Sequence, residues 1–418
     1  MSVNMNTPLS IFTAYGIEIE YMIVDRDSMN ILPITDKIIH HVAGEYINEI
    51  EQGEIAWSNE LVLHVIELKT NGPAKSLRGI PGEFQNNLKQ VQSILDEMNA
   101  CLMPTAMHPW MNPYRETQLW PHGQRDIYET FNKIFNCEGH GWSNLQSMHI
   151  NLPFANDNEF ASLHSAIRVL LPILPAMAAS SPIVEGHYTR MMDTRLETYR
   201  LNSIKIPSIT GLVVPDAVSS EKEYQEKILN PMYQEIAPFD PDKILQDEWL
   251  NARGAIARFD RNAIEIRILD TQEMPAADLA IASFIIETIK CITNNHWSSR
   301  TQQNSIRTDI LASIFRDIII NAEQSVIDDR DYLKLFRFPD KKCIAQELWQ
   351  HLRESIELNE ENYPESSKDI VDFILKNGPL ARRIINATGK DVKRPALEET
   401  YRVLCNNLIQ GELFTGIN

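Results

Sequence analysis

The stretch Gly16-Ile17-Glu18-Ile19-Glu20-Tyr21-Met22-Ile23-Val24 alternates in character from residue to residue. That is the period of a β-strand, whose successive side chains point to opposite faces. Ile17, Ile19, Tyr21 and Ile23 share one face, and Glu18 and Glu20 share the other with Met22 and Val24. A strand this apolar is at least partly covered on both faces, so two neighbouring carboxylates lie away from bulk water. Buried carboxylates must be paired, hydrogen-bonded or metal-bound. Two on one face repel unless a cation holds them. A divalent-metal site is therefore the first expectation.

The same device recurs along the chain. In Ala263-Ile264-Glu265-Ile266-Arg267-Ile268 the isoleucines share one face, and Glu265 and Arg267 share the other. In residues 146–152, Met148, Ile150 and Leu152 face the core while Ser147, His149 and Asn151 face away. In residues 63–69, Glu67 and Lys69 lie on one face with Val65. Taken singly, each reads as a surface ion pair or a hydrogen-bonded structural residue. A single sheet whose second face lines a polar cleft accounts for all four. Hard divalent cations such as Mg²⁺ take carboxylate and water oxygens and commonly bridge nucleotide phosphates. Glu18, Glu20, Glu67 and Glu265 supply such oxygens, and Arg267 supplies a bidentate phosphate donor. His149 is suited to ligate a metal or donate to an anion. No GxxxxGK[ST] loop, GxGxxG turn or HExxH helix occurs, so a nucleotide would be held by metals and arginines on a sheet.

Composition bounds the function. The formal net charge is −18 over 418 residues, which argues against non-specific binding to nucleic acid or anionic membranes. The most hydrophobic segment, 169–179, is too short to span a bilayer and contains Pro172 and Pro175. The first twelve residues have no basic region and no long apolar run, so no signal peptide is expected. Five scattered cysteines without a CxxC pair fit free thiols in a reducing cytoplasm. Strands are expected over 11–24, 61–69, 101–106, 145–153, 255–259 and 263–270. Helices are expected over 84–99, 127–135 and 159–180, then 276–294, 304–328, 343–358, 366–376 and 394–408. Strands followed by helices indicate an α+β class. One unit over 1–418 is expected, with a sheet-rich core at 1–290 and a helical buttress at 291–418. Residues 359–369 are polar and acidic and read as a surface loop. A homodimer is the expectation for a chain of this size.

Together these pieces resemble the glutamate–cysteine ligase superfamily, in particular the bacterial carboxylate–amine ligases of the second glutamate–cysteine ligase family. The matching segments are Gly16-x-Glu18-x-Glu20, Glu60 and Glu67 in ELVLHVIELKTNGP, and MHINLPF with His149. They continue with SSPIVEG from Ser180 to Gly186 and AIEIRILDT with Glu265 and Arg267. The resemblance implies a glutamine-synthetase-like fold, an antiparallel sheet curved into a funnel with helices outside. It also implies an ATP-dependent ligase that joins an amino-acid carboxylate to an amine through an acyl phosphate, using Mg²⁺ or Mn²⁺. Carried over position by position, Glu18, Glu20, Glu60, Glu67, His149 and Glu265 match the metal ligands. Arg267 matches the arginine at the ATP phosphates and, with Glu265, is the catalytic candidate. Arg253 and Arg258 are further phosphate candidates. Arg195 and Arg200 are candidates for a substrate carboxylate. Asn151, where several members carry a second histidine, is a candidate substrate contact.

One position carries a geometric tension. Residues 60 and 67 are an odd number apart, so on one regular strand they face opposite ways and lie roughly 20 Å apart. Glu60 joins the site only if a turn or bulge intervenes. Two other readings stay open: a phosphotransferase of the same fold, guanido-kinase-like, and a non-enzymatic member that binds nucleotide or amino acid.

Overall fold

The computed structural model describes residues 8–358 and 362–417. Its centre is an eight-stranded antiparallel sheet. The strands are β1 (Gly16–Asp25), β2 (Glu49–Gln52), β3 (Ile55–Asn59), β4 (Val65–Thr70), β5 (Ala100–Met103) and β6 (Ser147–Pro153). After a separate two-residue hairpin, β7 (Ile183–Val184) and β8 (His187–Tyr188), the sheet is completed by β9 (Ala255–Arg258) and β10 (Ala263–Asp270). The order is β2-β3-β4-β1-β6-β10-β9. β6 pairs with residues 16–19 of β1, and β5 with residues 22–25. The α+β class holds, and the region after Pro275 is mainly helical.

The alternation of β1 has the predicted consequence. Ile17, Ile19, Tyr21 and Ile23 are fully buried on the face that packs against helices 80–96, 157–170 and 275–293. In the last of these, Pro275–Thr293, apolar residues occur all round, as befits a helix buried on nearly every side. The opposite face is divided. Its Glu18–Glu20 half opens into a cleft. Met22 and Val24, in the other half, are buried with Met103 under helices Leu380–Thr388 and Arg394–Gln410, which contribute Leu380, Ile384, Leu397, Tyr401 and Leu404. Burying each such side chain stabilises by about 1.5–3 kcal/mol. The C-terminal helices thus cover the apolar half of the face whose polar half lines the cleft.

Several boundaries moved. The strand expected over 61–69 starts at Val65, because residues 60–64 form the turn of a β3–β4 hairpin. The helix expected over 304–328 is two, Arg300–Ser305 and Thr308–Asn321, the second preceded by extended Arg307. Of the loop expected over 359–369, residues 359–361 lie outside the described residues, and helix Ser367–Asn377 begins within the rest. None of the described helices is long and apolar enough to cross a membrane.

Candidate active site

Strand register assembles the polar face row by row. Ser58 on β3 lies opposite Glu67 on β4, which lies opposite Glu20 on β1. In the next row Lys69, Glu18 and His149 are partners. In the third, Gly16, Asn151 and Glu265 align. Gly16 is required by close approach: a Cβ there would sit 2.9 Å from the Asn151 Cβ. The Asn151 amide can therefore lie across the strand and donate to Glu18 Oε1 at 2.9 Å.

The hairpin resolves the Glu60 tension. Chain reversal between β3 and β4 makes Glu60 and Glu67 neighbours across a turn instead of distant points on one strand. Two groups of potential ligands follow, each with ligand atoms within 4.8 Å of one another: Glu18, Glu67 and His149, and Glu20, Glu60 and Glu67. Glu67 belongs to both.

Hydrogen bonds fix these side chains. Ser58 Oγ donates to Glu67 Oε2 at 2.5 Å, and Lys69 Nζ lies 3.1 Å from the same oxygen. Glu20 Oε2 accepts from the Ser147 backbone N–H at 2.7 Å and from its hydroxyl at 3.1 Å. His149 Nδ1 lies 3.0 Å from Glu18 Oε2 and 3.5 Å from Glu265 Oε1. Arg267 clamps Glu265 Oε1 through Nε at 3.0 Å and Nη2 at 2.6 Å.

A β-bulge places Arg267. Between Ile266 and Leu269 the β10–β6 register shifts, so residues 267 and 268 together oppose His149. The bulge also returns Asp270 to the polar side, opposite Ser147. There Asp270 Oδ1 accepts from Arg195 Nε at 2.6 Å, and its Oδ2 from the Ser180 N–H and the Ser181 hydroxyl at 2.8 Å each. Arg195 is 2% exposed, lines the cleft, and its Nη2 has no hydrogen-bond partner among the described residues.

The cleft has a volume of about 380 Å³. Its floor is the acidic sheet face, and Trp142, Tyr199 and Asn202 form the facing wall. Asn202 Nδ2 donates to the Gly141 carbonyl and ties that wall together. A second hollow of about 540 Å³ adjoins it, sharing Glu18, Lys69 and Arg261 and lined by Leu9, Tyr15 and Pro73 among others.

The electrostatics follow from packing. Burial alone would raise Glu18, but the hydrogen bond and charge of His149, with Lys69, hold it down to about 2. Burial would lower His149, yet Glu18, Glu265 and Glu20 raise it to about 9. Burial and then the Glu18 charge push Glu67 up to about 7. Burial, then Glu20 and Glu67, push Glu60 well above the carboxylate range. In the metal-free fold, burial and mutual repulsion therefore favour the protonated forms of Glu60 and Glu67, and His149 carries a proton near neutrality. A cation bound there would have to displace these protons, so its affinity would rise with pH. Mg²⁺ titrated calorimetrically near pH 6 should bind roughly tenfold more weakly than near pH 7, with proton release on binding. Equal affinity at both values would contradict this pairing.

Not every predicted arginine reaches the cleft. Arg258 lines it, held by Asp260 at 2.9 Å. Arg200 is instead closed on Glu197 by two 2.5 Å hydrogen bonds, one turn away on the same helical segment. Arg253 is held by Asp216 and the Ser208 carbonyl. Neither of these two lines the cleft. Residues absent from the sequence reading include Ser58, Trp142, Tyr199, Asn202, Arg261 and Asp270. The bulge hid Asp270, since odd spacing from Glu265 assigns it to the core face.

Comparison with known proteins adds an independent line. The family model described as glutamate-cysteine ligase family 2 matches residues 14–392. An uncharacterized protein of Archaeoglobus fulgidus is 38% identical over 65% of this chain and 72% of its own. A putative glutamate–cysteine ligase 2 of Jannaschia is 23% identical over 66% of this chain, and the match spans 65% of that protein. A glutamate–cysteine ligase of Francisella tularensis, solved in complex with AMP, shares the fold at TM-score 0.59 and 14% identity, over 95% of this chain and 89% of that one. A bifunctional glutathione synthetase of Pasteurella multocida superposes at TM-score 0.60 and 13% identity, over 96% and 53% respectively.

Proposed function

Because the chain belongs to glutamate–cysteine ligase family 2, we propose that it is an ATP-dependent carboxylate–amine ligase acting on an amino-acid carboxylate. The observation that carries this reading is the pair of ligand groups sharing Glu67 on the floor of a cleft that also presents Arg195 and Arg267. Carboxylates converging this closely, with Glu20, Glu60 and Glu67 driven toward their protonated forms in the metal-free fold, suit hard divalent cations. Glu18, Glu67 and His149 would hold one Mg²⁺, and Glu20, Glu60 and Glu67 a second. When bound, such ions neutralise phosphate charge and align donor with acceptor.

In the proposed reaction the substrate carboxylate attacks the γ-phosphorus of ATP, giving an acyl phosphate and ADP. The amine then attacks the acyl carbon and phosphate leaves. Arg267 stabilises charge on the transferring phosphoryl group. Glu265 fixes two of its nitrogens, and Nη1 makes a 3.5 Å contact to the Asn251 carbonyl. The unpartnered Nη2 of Arg195 receives a carboxylate of the substrate. Arg258 and Arg261 extend the positive rim toward the adjoining hollow. Free thiols at all five described cysteines suit a cytoplasmic location. The chain works as one ligase unit, its last 128 or so residues securing the sheet.

Phosphate release from ATP with Mg²⁺, glutamate and a panel of amines tests this reading. Release should require both carboxylate and amine and match an amide product by mass spectrometry. Phosphoryl transfer to the amine with no phosphate released would make the protein a kinase instead. Asp270→Asn, which weakens the anchor of Arg195, should raise KM for the carboxylate substrate roughly tenfold while changing kcat little. A loss confined to kcat would remove Arg195 from substrate binding.

A further inference from the structure

Away from the cleft, helix Arg394–Gln410 lies against β5 and brings Cys405 to Cys101. The two cysteines line one surface hollow with Arg26, Arg402, Gln92 and Asp96. Cys405 is 6% exposed, and Cys101 is half-buried. Both thiols face this one hollow, in a chain whose described cysteines are all free. Two guanidiniums are held beside them. Arg26 Nη2 donates to the Ala100 carbonyl at 3.1 Å, and Arg402 Nη1 to the Arg26 carbonyl at 2.7 Å.

We propose that Cys101 and Cys405 form a reversible disulfide that joins the C-terminal helix to the sheet. The roles of the two sulfurs are unequal. The neighbouring Cys405 thiol, outweighing burial and joined by the guanidiniums of Arg26 and Arg402, lowers Cys101 from its ordinary value, while the proximity of Cys101 and burial raise Cys405 well above its own. Cys101, more exposed and richer in thiolate, is the attacking group. With a low-molecular-weight disulfide as oxidant, its thiolate attacks one sulfur and expels a thiolate, forming a mixed disulfide. Cys405 gives up its proton, attacks the Cys101 sulfur and expels the second thiolate. The protein loses two hydrogens and the oxidant leaves as two thiols. The bridge fastens the helix that buries Met22 and Val24 to the strand paired with residues 22–25 of β1.

The test treats the full-length protein with oxidised glutathione and maps its peptides without reduction. The expected result is one cross-linked peptide pair carrying Cys101 and Cys405, reversed by a thiol reductant, with a raised Tm while it persists. Cys405→Ser should instead accumulate the mixed disulfide on Cys101, and Cys101→Ser should leave Cys405 unmodified. A wild-type mixed disulfide that persists on Cys101, or prior reaction at Cys137, Cys291 or Cys343, would overturn the proposal.

Discussion

Arg267→Ala is expected to lower kcat roughly 10³-fold, the lower range for arginines that stabilise a transferring phosphoryl group, with KM for the amine nearly unchanged. The bulge at residues 267–268 sets the guanidinium opposite His149, and Glu265 holds it through Nε and Nη2. This anchoring means that little reorganisation is needed when charge develops, which is where such a group acts most strongly. Lysine should not restore activity, because a point charge cannot hold Glu265 through two nitrogens and still face a phosphate. Steady-state kinetics of R267A and R267K, with thermal melts to verify folding, check this. Turnover within about threefold of wild type would remove Arg267 from the chemistry.

Glu67→Gln should have opposite effects on activity and on stability. Activity should fall roughly 10²-fold or more, because Glu67 is the carboxylate common to both ligand groups. The metal-free protein should become more stable. Glu67 is 5% exposed, and its pKa rises from 4.5 to about 7. A raised carboxyl binds its proton more tightly in the fold, so stability declines as pH rises from about 4.5 to 7 and is flat beyond. Glutamine, which cannot ionise, avoids that loss. The gain should be on the order of 2 kcal/mol at neutral pH and vanish below about pH 4.5. Calorimetric melts with and without Mg²⁺ check both points. Mg²⁺ should raise the wild-type Tm strongly and that of E67Q weakly. A metal-free E67Q that melts below wild type at neutral pH would show that the acidic floor is not electrostatically strained.

Local alternation made β1, β6 and β10 readable, because one face of each is apolar and the other carries the chemistry. It failed for β2 and β3. All five residues of β3 are buried, so no alternation marks Ile55–Asn59, and β2 is only four residues long. With that hairpin invisible, Glu60 looked remote from Glu67. Asp270 was missed for a related reason: a bulge changes parity without leaving a mark in residue type. Pairings made across long separations were also hidden. Glu20 with Ser147, and Arg195 with Asp270, depend on strand order and not on neighbouring residues. Arg200 and Arg253 show the converse. An arginine near a motif suggests a ligand, yet Glu197 and Asp216 satisfy them first. The cover provided by the C-terminal helices had one signal, Met22 and Val24 on the glutamate face, although nothing local named what buries them.

The central claim is that a carboxylate is activated by direct phosphoryl transfer in the acidic cleft. The most direct measurement uses glutamate labelled with ¹⁸O in its carboxylates, turned over with ATP, Mg²⁺ and an accepted amine, with mass analysis of every phosphorus-containing product. An acyl phosphate predicts one labelled oxygen in inorganic phosphate, none in the nucleotide, and ADP as co-product. Label in AMP, or unlabelled phosphate formed alongside amide, would contradict the account.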